Sequence, residues 1–357
     1  MPIAVPGIYG GNTPNDIVAF EGRLLAVGSV NAGCCDGSFS TDTRALVWSS
    51  TDGATWELVR DSSAFDLGYM HAVAARPGRV VVVGSLQFEA EGFEGTVDPR
   101  PAAWTSPDGV AWRLVEGVPF FNDVVATADG FVASTLAEEN PEIWGTVDGR
   151  AWTRLAGRAE LGEGSISQLL VLDDGGVVAV GRSEAFDLQP PSYEVVDAAV
   201  WRSPDGRAWS RVADQEAFTD GWMQYVGERN GRLVAVGTGD TVSGVTVWVS
   251  DDGLAWRRDD NTALGADGTW IRELVAGREA FIVVGSSDDS ETNMVAWASL
   301  DGESWGLVPR QPALDGVEAA GPNVAGWIAL DDGSVIAVGS RWDMEAGELA
   351  PVTWLIR

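Results

Sequence analysis

Lysine is absent from this sequence and histidine occurs once, as His71. All 23 basic residues are therefore arginine, set against 53 acidic ones for a net charge of −30. A field of that sign repels nucleic acid and anionic membrane surfaces, which removes both as partners. One histidine and two cysteines are too few for a zinc site. The cysteines, Cys34 and Cys35 in NAGCCDGS, are adjacent. They cannot staple a framework, which leaves free thiols, intermolecular links or a vicinal disulfide. No apolar run is long enough to span a membrane, and nothing reads as a long amphipathic helix. The start, MPIAVPGIYGG, lacks the basic and apolar regions of a signal peptide. The expectation is a secreted or extracytoplasmic protein whose signal peptide is not in this chain, with the cytosol as the alternative.

What the sequence does have is repetition. SSTDGATW (49–56), TSPDGVAW (105–112), GTVDGRAW (145–152), RSPDGRAW (202–209), VSDDGLAW (249–256) and ASLDGESW (298–305) all end Asp-Gly-x-x-Trp. A second tryptophan stands eight residues earlier in each: Trp48, Trp104, Trp144, Trp201, Trp248 and Trp297. Trp354 is a seventh, at the C-terminus. Asp-Gly between β-favouring runs predicts a tight hairpin with glycine in the left-handed conformation. In a three-residue turn the two tryptophans of each copy become cross-strand partners.

Between the turns lie paired apolar runs, the second usually ending in Val-Gly: IVAFEGRLLAVG (17–28), AVAARPGRVVVVG (72–84), LLVLDDGGVVAVG (169–181), YVGERNGRLVAVG (225–237), LVAGREAFIVVG (274–285) and WIALDDGSVIAVG (327–339). Residues 124–135 are a degenerate copy. Runs such as VVVVG show no polar alternation, so these strands are expected to be buried on both faces. Four short antiparallel strands per unit, stacked face to face, make an all-β fold: a seven-bladed β-propeller. The expected blades are roughly 10–60, 69–115, 120–155, 165–212, 221–258, 269–308 and 322–357, forming one domain over 1–357. The N-terminal strand 2–8 completes the last blade and closes the ring, and a closed ring predicts a monomer.

The Ser-x-Asp-Gly-x-x-Trp strings resemble the Asp-box, or BNR, repeat of sialidases, xyloglucanases, sortilin-type receptors and photosystem assembly factors. That resemblance implies a propeller with the box on the outer turn of each blade, away from the functional face. It does not extend to a sialidase site. Arg-Ile-Pro is absent, and Arg272 is the only arginine at the start of a first strand.

Ligands are expected where the first strands begin, at one mouth of a propeller. Counting back thirteen residues from each Val-Gly glycine, or twelve where the turn is one shorter, gives Asp16, His71, Gln168, Gln224, Arg272 and Gly326, with Asp123 from the degenerate copy. Two residues earlier come Pro14, Tyr69, Phe121, Ile166, Trp222, Trp270 and Val324. A polar ring below an aromatic rim suits a glycan or a protein partner. His71, Gln168, Gln224, Arg272, Tyr69, Phe121, Trp222 and Trp270 are the candidate ligand-binding residues. The alternative is a glycoside hydrolase using Asp16 and Asp123 as its two carboxylates, with Glu273 in reserve. No cofactor is expected beyond calcium in the acidic loops 87–98 and 286–291, which lack EF-hand spacing.

Overall fold

A computed structural model describes residues 3–4, 11–31, 43–59, 62–89, 97–136, 140–185, 195–239, 245–259, 264, 270–286, 294–308, 323–330, 333–343 and 348–356. Twenty-eight strands form seven four-stranded antiparallel sheets, the blades of a β-propeller. β1 (Ile3–Ala4) precedes blade 1, which holds β2 (Gly11–Phe20), β3 (Arg23–Asn31), β4 (Thr43–Ser50) and β5 (Glu57–Leu58). Blade 2 holds β6 (Gly68–Arg76), β7 (Arg79–Glu89), β8 (Val97–Ser106) and β9 (Arg113–Glu116). Blade 3 holds β10 (Phe121–Thr127), β11 (Gly130–Thr135), β12 (Ile143–Thr146) and β13 (Thr153–Ala156). Blade 4 holds β14 (Ser165–Val171), β15 (Val177–Ala185), β16 (Val195–Ser203) and β17 (Ser210–Arg211). Blade 5 holds β18 (Trp222–Arg229), β19 (Arg232–Thr238), β20 (Val245–Ser250) and β21 (Arg257–Asp259). Blade 6 holds β22 (Trp270–Ala276), β23 (Phe281–Ser286), β24 (Met294–Ser299) and β25 (Gly306–Leu307). Blade 7 takes β26 (Asn323–Ala329), β27 (Val335–Asp343) and β28 (Glu348–Ile356) from the C-terminus. Its fourth strand is β1, with Ile3 opposite Thr353 and Ala4 opposite Val352, as the sequence predicts.

Two compact units divide the chain: Met1–Ala126 with Val147–Ala151 and Gln311–Arg357, and Thr127–Thr146 with Trp152–Arg310. In the first, core residues fill the spaces between blades 7, 1 and 2. Val80 and Val82 of β7 pack with Leu25 and Val27 of β3, and Ile336 and Val338 of β27 pack with Ala26. In the second, Val178 and Val180 of β15 meet Leu233 and Ala235 of β19, while Val234 and Val236 meet Val283 of β23. The all-apolar second strands are thus buried on both faces, as their lack of alternation requires.

The first tryptophan is core in six of the seven repeats, whereas Trp144 is half-buried and donates its indole N–H to Glu142 Oε2 at 2.9 Å. Trp48, Trp104, Trp201, Trp248 and Trp354 are fully buried. Each stands opposite a small residue of the second strand, such as Ala26, Val82, Ala179, Ala235 or Ala337. The second tryptophan corrects the sequence reading. Trp48 pairs with Leu58, Trp104 with Leu114, Trp201 with Arg211 and Trp248 with Arg258. The turn is longer than a three-residue hairpin: strand β4 ends at Ser50 and β5 begins at Glu57. Trp56 therefore folds under the turn and donates its indole N–H to Gly53 O at 3.2 Å, and Trp209 does the same to Gly206 O at 3.1 Å.

The other box residues satisfy that turn from within. Ser50 Oγ accepts from Gly53 N, and Asp52 Oδ1 accepts from the N–H groups of Ala54 and Thr55 at 2.8 and 2.6 Å. Gly53 takes φ 69°, where a Cβ would be strained. The same bonds recur around Asp108, Asp252 and Asp301. These backbone donors hold the Asp52 and Asp301 carboxyls down to about 2, and Asp108, Asp205 and Asp252 below the usual range. An acid whose folded pKa is depressed stabilises the fold above its unfolded pKa and loses that stabilisation as pH falls. The urea midpoint is therefore expected to fall steeply between pH 4 and 2. Asp301→Asn keeps an acceptor oxygen but cannot titrate, so its profile should be flatter over that window.

Candidate functional site

The first strands of blades 1, 2, 4, 5, 6 and 7 each carry a one-residue bulge near the start. The shifts lie between Pro14 and Asp16, Met70 and Ala72, Ile166 and Gln168, Met223 and Tyr225, Ile271 and Glu273, and Val324 and Gly326. A bulge re-aims side chains by one position. The counted polar ring consequently mixes two rows: His71, Gln224 and Arg272 are bulge residues, whereas Asp16, Gln168 and Gly326 lie one place further on. The leading residues also sort differently. Thr13 pairs with Ser29, Tyr69 with Ser85, Ser165 with Arg182, Trp222 with Thr238, Trp270 with Ser286 and Asn323 with Ser340. Pro14, Ile166 and Val324 belong instead to the row that faces the Val-Gly glycines.

In the first unit two aromatics meet solvent. Tyr69 is 39% exposed, and so is Phe120, while Phe121 is buried at 2%. The residue that takes the expected rim position is therefore Phe120, and Phe121 is core. Among the described residues Tyr69 and Phe120 are the only exposed large aromatics.

The polar groups of this unit tie successive first strands together. Asn15 Nδ2 donates to Met70 O at 2.6 Å, and His71 Nε2 lies 3.1 Å from Asn122 O. A carbonyl only accepts, so Nε2 carries the proton. Asp16 accepts from Ile17 N at 2.7 Å through Oδ1 and from Val73 N at 2.8 Å through Oδ2. Asp123 Oδ1 accepts from Val124 N at 2.7 Å. Burial pushes the Asp16 carboxyl up to about 7 against those two amide donors, with Asp123 adding to the rise. Burial pushes His71 the other way, below its ordinary value. Asp16 and Asp123 thus sense each other, but both Asp16 oxygens are taken by backbone N–H groups.

The second unit repeats the arrangement. Gln168 Oε1 accepts from Val226 N at 2.7 Å, the counterpart of the bond from Val73 to Asp16. Glu273 Oε1 accepts from Leu274 N at 3.1 Å, as Asp16 and Asp123 accept from their own next residues. Gln224 and Arg272 are half-buried bulge residues. Arg272 and Glu273 both act on the Tyr225 phenol, whose pKa is raised first by burial and then by Glu273. Trp222 is half-buried, with its indole N–H on Ser167 Oγ at 2.8 Å. Trp270 pairs with Ser286 through its backbone, and its side chain lies outside the described residues.

Sequence reasoning missed Arg182, although it left a signal. The residue after each Val-Gly glycine is serine or threonine in five of the six registered blades and arginine in blade 4. Cys34, Cys35 and most of the acidic loops 87–98 and 286–291 lie outside the described residues. Among the described residues no group of three or more His, Cys, Asp or Glu side chains could hold a metal ion.

No family model and no curated protein matches the chain. Solved structures do. YCF48 bound to a D1 peptide is similar over 100% of this chain and 96% of that one, at TM-score 0.62 and 16% identity. The propeller domain of the trilobed protease from Pyrococcus furiosus is similar over 96% and 95%, at TM-score 0.55 and 8% identity. A Trypanosoma rangeli sialidase mutant with trans-sialidase activity gives TM-score 0.48 and 13% identity, covering 99% of this chain and 57% of that one. At these identities the likeness to the first two establishes one thing, the β-propeller fold.

Proposed function

We propose that this chain is a non-catalytic binding module whose Ser-x-Asp-Gly-x-x-Trp turns are of the Asp-box type and whose leading first-strand ends engage a protein partner. The observation that carries the reading is the exposure of Tyr69 and Phe120, where the other aromatics among the described residues are buried or half-buried. Both stand two residues ahead of the point where His71 meets Asn122 O, Tyr69 near the start of β6 and Phe120 immediately before β10. Aromatic side chains presented on rigid strands are what a binding surface uses as anchors. The peptide complex of YCF48 supports a peptide over a glycan as the partner.

One observation favours hydrolysis instead: a carboxyl raised to about 7 is what a general acid needs. Against it, the two Asp16 oxygens already accept backbone N–H bonds, and the one from Val73 holds β2 to β6. An acid that must rotate to a glycosidic oxygen would break that tie.

The test is selection of peptides on immobilised protein, followed by affinity measurement against Tyr69→Ala and Phe120→Ala. Each change is expected to weaken the selected peptides by about 1 to 2 kcal/mol, roughly tenfold. Unchanged affinity in both variants would remove the basis of the reading. Hydrolysis of a glycan that is lost in Asp16→Asn would replace it with the enzymatic one.

A further inference from the structure

A bulge adds one side chain to the start of a strand. The added residues are Asn15, His71, Ser167, Gln224, Arg272 and Ala325. In blades 1, 2 and 4 that side chain is used inside the fold. Asn15 Nδ2 donates to Met70 O at 2.6 Å, His71 Nε2 lies 3.1 Å from Asn122 O, and Ser167 Oγ accepts the Trp222 indole N–H at 2.8 Å. Ala325 carries no polar group. Blades 5 and 6 differ: among the described residues neither Gln224 nor Arg272 has a hydrogen-bond or ion-pair partner, although both are half-buried.

Other arginines of the second unit are met by acids. Arg202 lies 3.1 Å from Asp174, Arg211 lies 3.0 Å from Asp214 and Arg232 lies 3.1 Å from Asp251. Glu273, next to Arg272 in sequence, instead accepts from Leu274 N at 3.1 Å. The backbone brings Gln224 and Arg272 to one level. A Cβ at Gly227 would lie 3.0 Å from Ala276 Cβ and 3.7 Å from Leu274 Cδ2, so β18 and β22 run closely side by side. Tyr225 is acted on by burial first and then by Glu273 and Arg272, so the alignment advances in the same direction along both strands. Gln224, three residues before Gly227, therefore falls beside 271–273 of β22.

From this we infer that Gln224 and Arg272 form a binding site for an N-acylated amino acid with a free carboxylate, either as a small molecule or as the last residue of a peptide. The planar guanidinium takes the carboxylate through two N–H bonds, and Gln224 Oε1 accepts the adjoining amide N–H. A carboxylate without that N–H uses only half of the pair. In a protein of net charge −30 anions are repelled at large, so retaining one takes a cation that no acid of the fold has claimed. The inference goes beyond the binding reading and does not rest on it. Its test turns on Gln224 and Arg272 of the second unit, while the reading's own test turns on Tyr69 and Phe120 of the first, so the two can fail separately.

The experiment is ligand-observed NMR on the full chain. It compares N-acetylalanine with N-acetylalaninamide, which lacks the carboxylate, and with propionate, which lacks the amide. The expected result is binding of N-acetylalanine, with a loss of at least about tenfold for the amide and in Arg272→Gln. Propionate, Gln224→Leu and Arg272→Lys should each show a smaller loss, the last because it keeps the charge without the planar fork. Acetylated tetra-alanine with a free C-terminus separates the two sources: binding at least as tight as that of N-acetylalanine assigns the site to a chain end, and weaker binding assigns it to a small molecule. If circular dichroism shows that Arg272→Gln does not fold, Arg272→Lys and Gln224→Leu carry the comparison. Equal binding of acid and amide, an unchanged Arg272→Gln, or no binding of either N-acetylalanine or the tetra-alanine overturns the inference.

Discussion

Gly84→Ala and Gly237→Ala are expected to destabilise the chain more than any surface substitution, by an amount at or beyond the top of the range of about 1–3 kcal/mol for overpacked cores. In blades 1, 2, 4 and 5 the bulge of the first strand places a backbone carbonyl against the second strand, and the Val-Gly glycine is where it lands. A Cβ at Gly84 would sit on Tyr69 O, and one at Gly237 on Trp222 O, far closer than the 3.0 Å that real Cβ atoms keep. Gly28 and Gly181 meet Thr13 O and Ser165 O in the same way. These obstacles are backbone atoms inside hydrogen-bonded ladders, so no side-chain rotation relieves them. Urea unfolding monitored by circular dichroism measures the loss. Midpoints within a few tenths of a molar of the parent protein would contradict the packing described.

The second expectation concerns Asp16 and His71, which act on stability in opposite directions. Asp16 has its folded pKa raised from 3.8 to about 7, so the folded state keeps a proton that the unfolded chain has released. Its contribution is full below pH 4 and is lost as pH rises through 7, with an upper bound of about 4 kcal/mol. His71 has its folded pKa lowered from 6.5 by burial. Its contribution is present above pH 6.5 and lost as pH falls. The parent protein adds the two, and single variants separate them. Asp16→Asn should leave a midpoint that rises from pH 5 to pH 8, and His71→Gln should leave one that falls. Asn also forfeits one of the two backbone N–H bonds, so the slope with pH, and not the absolute stability, carries the test. Parallel profiles for the two variants would show that neither group titrates as described.

How far the sequence discloses all this depends on which features leave a periodic trace. Seven blades and the place of β1 as fourth strand of the last one follow from spacing, because apolar runs and Asp-Gly turns repeat in phase with the strands. The left-handed box glycine follows from Asp-Gly itself. The partner of Trp48 does not: turn length sets the register, and nothing in SSTDGATW says that its six residues 51–56 all lie outside the strands. The same limit applies to the leading ends. A one-residue bulge leaves composition untouched yet exchanges faces, which is why Pro14, Ile166 and Val324 read as rim while they stand opposite the Val-Gly glycines. It is also why Asp16 and Gln168 read as ligand groups while their side chains cap the N–H groups of Val73 and Val226. Arg182 was legible only as an exception, GRS where other blades have GS or GT.

Hydrogen exchange on the protein, with and without a selected peptide, tests the central claim most directly, that the leading ends of the first strands and not the box turns are the binding surface. The account predicts slowed exchange at 66–72 and 117–123, with no change at 50–56 and 106–112. Protection confined to the box turns, with the leading ends unaffected, would contradict it.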